Sequence, residues 1–156
     1  MSACGQLEEA MTLHKEEERI CRQLGNHNGL ASTLSNQANI LVACGQIDEA
    51  MALRKEAEQI FRQLGNLYGL ASILSNQALI LADHGQWNEA MALHKEAEQI
   101  FRQLSNPVGV ASSLSYQANI STVCGQWDEA MVLHKEAEQI FRQLGNLVYC
   151  LVNSMF

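Results

Sequence analysis

The chain has 156 residues and a formal net charge of -7, from 10 Lys+Arg against 17 Asp+Glu. That length suits one ordinary domain with a substantial core and is too short for two, and the acidic balance excludes a general nucleic-acid binder, which needs surplus Lys and Arg. An apolar content of 47% excludes a disordered acidic tail, and a single proline points to an all-helical chain.

The start, Met1-Ser2-Ala3-Cys4-Gly5, has neither a basic stretch nor an apolar run, so no signal peptide is expected. Nowhere does an apolar run reach the ~18 residues of a membrane span. Cys4, Cys44 and Cys124 lie at multiples of 40 residues from one another, which makes them copies of one repeat position and not a disulfide framework. The expected setting is the cytoplasm, with reduced thiols. Asn119-Ile120-Ser121 matches a glycosylation sequon and is read as chance.

Residues 5–25 read as a lone helix of the type called B here. It opens on Gln6-Leu7-Glu8-Glu9-Ala10-Met11, which recurs as Gln46-Ile47-Asp48-Glu49-Ala50-Met51 and again from Gln86 and Gln126, a period of 40. Lys55-Glu56-Ala57-Glu58-Gln59-Ile60-Phe61-Arg62-Gln63-Leu64 recurs unchanged from Lys95 and Lys135. A fixed period of this size marks a stacked array, because one unit cannot bury its apolar face alone.

Three pairs of helices follow, over residues 28–64, 68–104 and 108–144. In the first, helix A covers 28–44 and carries Leu30, Leu34, Ala38 and Leu41 on one face. Gly45 follows its last turn. Helix B covers 47–64, with a stripe of Ile47, Ala50, Leu53, Ala57, Ile60, Phe61 and Leu64. Asp48 and Glu49 in its first turn and Arg62 in its last suit the helix dipole. Glu58 and Arg62 form an i,i+4 pair, repeated at Glu98/Arg102 and Glu138/Arg142. Gly65-Asn66 predicts the stop of helix B, and Gly145-Asn146 the same stop two repeats on. The final residues, 147–156, then read as a truncated helix A, short of charge and off the repeat pattern.

Gly45-Gln46-Ile47-Asp48-Glu49-Ala50, with Ala57 after it and Leu34 and Ala38 before it, resembles the tetratricopeptide repeat (TPR). The usual unit of that family has about 34 residues. The longer unit here is similar to that of kinesin light chain and the LGN/Pins group of adaptors. Gln37 and Gln77 stand where the family usually has an apolar residue, and His14, Arg54, His94 and His134 where it is commonly aromatic. The resemblance implies an α-solenoid of antiparallel helix pairs, a right-handed superhelix whose concave wall is lined by A helices and holds peptide segments of partner proteins.

Carried over by position, that wall presents Ser35, Asn36, Asn39 and Ala43, then Ser75, Asn76, Leu79 and Asp83, then Ser115, Tyr116, Asn119 and Val123. It is polar and almost uncharged, without the lysines of TPR proteins that clamp a terminal carboxylate. Amide and hydroxyl groups can both donate to and accept from an extended backbone; ordinary solvation of a helix face is the competing account.

No phosphate-binding glycine loop, HExxH or GxSxG occurs, so no enzyme, cofactor or metal site is expected. The histidines at one repeat position lie about 10 Å apart in a stack, too far to share a metal. They read as a partly buried polar position between helices. Cys44 and Cys124 read as small half-buried residues, and Trp87 and Trp127 as core. Cys21 replaces the Phe of the other repeats and predicts looser packing there. The leading expectation is a non-catalytic scaffold for a protein partner. The alternative is a self-assembling repeat protein, a homo-oligomer joined through Leu147, Val148, Tyr149, Leu151, Val152, Met155 and Phe156.

Overall fold

In the computed structural model the backbone is described for residues 3–153 and the side chains for residues 6–145. The described residues form seven α-helices and no strand: α1 (Ala3–Leu24), α2 (His27–Ala43), α3 (Ile47–Leu64), α4 (Leu67–Asp83), α5 (Trp87–Gln103), α6 (Pro107–Val123) and α7 (Trp127–Asn153). This is an all-α helical repeat: α2, α4 and α6 are the A helices, and α1, α3, α5 and α7 the B helices.

The chain divides into two compact units, Met1–Ile73 and Leu74–Phe156, with the division inside α4. Each repeats one arrangement. In the first, α2 packs on both α1 and α3; in the second, α6 packs on both α5 and α7. An A helix is therefore buried on two sides. Leu30, Leu34, Ala38 and Leu41 are all buried, as their spacing predicts. Alanines are prominent among the buried residues where the helices meet. Ala38, Leu41 and Ala50 form one cluster, and Ala78, Ala90 and Ile120 its counterpart in the second unit. On α3 the inward residues Ala50, Ala57 and Phe61 are buried, Ile47, Leu53 and Ile60 are half-buried, and Leu64 stands exposed past the last contact.

Local chemistry sets the boundaries to within a residue or so of the sequence reading. Asn26, Asn66 and Asn106 cap the A helices, each accepting from the backbone N–H of the glycine three residues on, at 2.9 to 3.0 Å. Gly65 closes α3 in the left-handed conformation, with φ of 64°. Ser105, at the same repeat position, takes φ of 51° despite its side chain. Gly69 serves a different need: a Cβ there would lie 2.5 Å from the ring of Phe61, and Gly109 stands the same way against Phe101. The first turns of α4 and α6 thus offer no side chain to the aromatic ring beneath them.

There is one large departure. The sequence predicts a stop at Gly145-Asn146 and a separate truncated helix A over 147–156, yet α7 runs unbroken through both residues to Asn153. The position matching Gly69 and Gly109 is Tyr149. The glycine whose missing Cβ makes room for Phe61 and Phe101 is therefore absent from this position of the sequence.

Three further expectations are corrected. Cys44 and Cys124 are exposed, not half-buried, because each lies at the C-cap of its helix, beyond the packed stripe. Leu64 leaves the stripe for the same reason. Trp87 is half-buried against the Ala78–Ala90–Ile120 cluster, to which the following A helix contributes Ile120, but Trp127 is 66% exposed because among the described residues no helix follows α7. Cys21 is buried beside a hollow of about 450 Å³, against about 360 Å³ at the matching place beside Phe101.

Candidate functional site

The A helices bury two faces and leave a third outward. Asn36 and Asn39 on α2 are exposed, and Ser35 between them is half-buried. On α6, Tyr116 and Asn119 are exposed and Ser115 is half-buried. On α4, in the second unit, Ser75, Asn76 and Leu79 are half-buried and Asp83 is exposed. The predicted residues thus share the outward face of their own helices. Part of their hydrogen-bonding capacity is used internally. Ser35 Oγ donates to the Ala31 carbonyl at 2.8 Å, and Ser115 Oγ to that of Ala111 at 2.9 Å. Asn39 Oδ1 accepts from Arg54 at 2.9 Å. A hydroxyl that donates, as those of Ser35 and Ser115 do, can still accept, and the Asn39 amide, which accepts through Oδ1, can still donate.

Behind this face lies the repeat position of Arg54 and His94, which the sequence marks as polar and partly buried. Arg54 is 5% exposed, and burial pushes its guanidinium pKa down. His94 is 1% exposed, stacked on Tyr116 with ring centroids 4.9 Å apart. Both ring nitrogens are buried without a hydrogen-bond partner, and burial lowers the pKa to about 4, so the ring is neutral. His94 thereby fixes the plane of the Tyr116 ring at the surface. No local pattern signals this pairing, because residues 94 and 116 meet only when α6 lies on α5. His14 is half-buried beside Glu17, 3.0 Å away, and His134 is exposed. Among the described residues no cluster of three metal-ligating side chains occurs.

The buried glutamines also have a purpose that spacing does not reveal. Gln37 Nε2 donates to Glu18 at 2.7 Å and to the His14 carbonyl at 3.2 Å. Gln117 repeats this with Glu98, at 2.7 Å. Each glutamate also accepts from an arginine on its own helix: Arg22 joins Glu18 to Glu56, and Arg102 joins Glu98 to Glu136. Burial raises the Glu18 pKa, but the bonds from Gln37 and Arg22 outweigh it and hold the carboxyl below its usual range. An amide where an apolar residue is usual therefore ties an A helix to the preceding B helix. It also holds the A helix in register.

The predicted self-association residues Leu147, Val148, Tyr149, Leu151 and Val152 lie beyond the described side chains, and Met155 and Phe156 beyond the described residues. No helix among the described residues is long and apolar enough to cross a membrane.

Helix pairs with a capped, outward A-helix face define a helical-repeat protein. Residues 29–103 match the family model for the tetratricopeptide repeat and belong to that family. Among solved structures, the chain is similar to BtubC (BKLC) from P. vanneervenii, with 18% identity and a TM-score of 0.81 over 90% of this chain. It spans 59% of that protein's length. It is also similar to a Podosopora anserina protein with nearly identical TPR-like repeats, described as a kinesin light chain. There the identity is 20% and the TM-score 0.71, over 92% of this chain and 71% of the other. These likenesses show the TPR-like fold. No curated protein matches the chain.

Proposed function

We propose that the protein is a non-catalytic interaction scaffold of the cytoplasm that holds a peptide segment of a partner protein on the outward face of its A helices. One observation carries the reading. That face presents exposed, uncharged amide and aromatic groups at Asn36, Asn39, Tyr116 and Asn119, on helices whose other faces are buried. Within each unit, such groups can hydrogen-bond an extended backbone without demanding a charged ligand. Membership of the tetratricopeptide repeat family, which generally mediates protein–protein interaction, supports it.

The test is selection of a displayed random-peptide library on the intact chain. Enriched peptides are then measured against the triple variant Asn36→Ala, Asn76→Ala, Asn119→Ala. Binding weakened at least about tenfold, the loss of roughly 1.4 kcal/mol, supports the site. Equal affinity for both proteins refutes it.

A further inference from the structure

α5 and α7 carry the same stripe with opposite fates. On α5 it is Trp87, Met91, His94, Glu98 and Phe101, alternately four and three residues apart and hence on one helix face. α6 lies over it, leaving His94 1% and Phe101 8% exposed. On α7 the stripe recurs as Trp127, Met131, His134, Glu138 and Phe141, and it is open. Met131 is 58% exposed and Phe141 45%. A hollow of about 500 Å³ lies along it, lined by Ser115, His134, Ala137, Glu138, Phe141 and Arg142.

The covered copy defines what fits the open one. On α6, Gly109 sits against Phe101, Tyr116 stacks on His94, Gln117 donates to Glu98, and Ile120 packs with Ala90. Each contact answers a residue that α7 repeats or conserves in kind: Phe141, His134, Glu138 and Ala130.

We propose that the α7 stripe docks an amphipathic helix of another protein built on this pattern. It has glycine opposite Phe141, a planar side chain seven residues on over His134, glutamine next to it bonding Glu138, and an aliphatic residue three further on. The stripe continues, residue for residue, an interface that the chain already makes between α5 and α6. A second copy of this chain is a poorer occupant, since α2, α4 and α6 all carry the pattern and its glutamine is already buried in each, at Gln37, Gln77 and Gln117.

The probe is a peptide of residues 107–123, stapled between positions 119 and 123, both exposed on α6. The staple is needed because isolated helices of this length are marginal in water. It is titrated calorimetrically into the full chain. The expected result is one saturable site. Affinity falls at least about tenfold with Phe141→Ala or Met131→Ala, both already solvent-exposed and so compatible with folding. It falls equally when the peptide carries Gly109→Tyr, and it is unchanged when residues 147–156 are deleted. The proposal is overturned by no binding, or by equal binding of the Gly109→Tyr peptide. A dimer that Phe141→Ala dissolves would make a second copy the occupant instead. A tenfold gain on deleting 147–156 would give that role to the chain's own tail.

Discussion

Arg54, His94 and His134 occupy one repeat position, and what lies over each decides its chemistry. His94 has its ring against Tyr116 and no hydrogen-bond partner for either nitrogen. Its pKa, lowered by burial from 6.5 to about 4, sets a pH dependence of stability. Above pH 6.5 the ring is neutral in both folded and unfolded chains. As pH falls from there, the unfolded chain takes up a proton that the folded chain refuses, so stability declines. The loss is complete once pH passes below about 4, where the folded ring also protonates. His94→Phe keeps a ring against Tyr116 and removes the titration. Its thermal midpoint should therefore fall less between pH 7 and pH 5 than that of the parent; equal falls would contradict the neutral buried ring. The sequence showed that this position is polar and between helices. It could not show which copy would lose water, since that depends on the neighbouring A helix.

At the scale of elements, Phe61-Arg-Gln-Leu-Gly-Asn-Leu67 and residues 141–147 are the same seven residues with two structures. The first ends α3 and begins α4, while the second stays helical within α7. A substitution reads the difference directly. Gly65→Ala forces a side chain into the left-handed conformation and should cost about 1 kcal/mol. Gly145→Ala, with open space around its Cβ, should stabilise by about 0.5–1 kcal/mol by removing glycine from a helix interior. Urea midpoints of the two variants should move in opposite directions; movement together would mean that α7 turns where α3 does. The glutamines belong to the same scale. Gln37 and Gln117 looked like departures from an apolar position, yet each closes a network with a glutamate and arginine on the preceding B helix. Such bonds join residues 19 apart in the chain, beyond the reach of any local pattern.

For the whole molecule, the net charge of -7 is distributed by helix type. Every Glu, Lys and Arg lies on a B helix, and Asp83 is the one Asp, Glu, Lys or Arg on α2, α4 or α6. The outward A-helix face is thus nearly neutral although the protein is acidic. Salt should therefore matter little to binding there. For a library peptide bound at Asn36, Asn76 and Asn119, affinity should change less than about twofold between ~50 and ~500 mM salt, because screening acts on charge pairs that this face lacks. A steep loss with salt would move the ligand to the glutamate- and arginine-bearing B helices.

The sequence by itself determined the 40-residue period, two helices per unit, the boundaries of α2 to α6 to within a residue or so and the buried A-helix stripe. All of these follow from local propensity, caps and the 3.6-residue periodicity, which act over a few neighbouring positions. Tertiary structure decided what identical segments become. Phe61 and Phe101 are covered and Phe141 is open, although all three stand in the same local sequence. The three stretches differ in sequence a turn or more later, where Gly69 and Gly109 admit the aromatic ring and the third has Tyr149 in place of glycine. Burial belongs to the pair of surfaces that meet, so the sequence of one surface does not fix it.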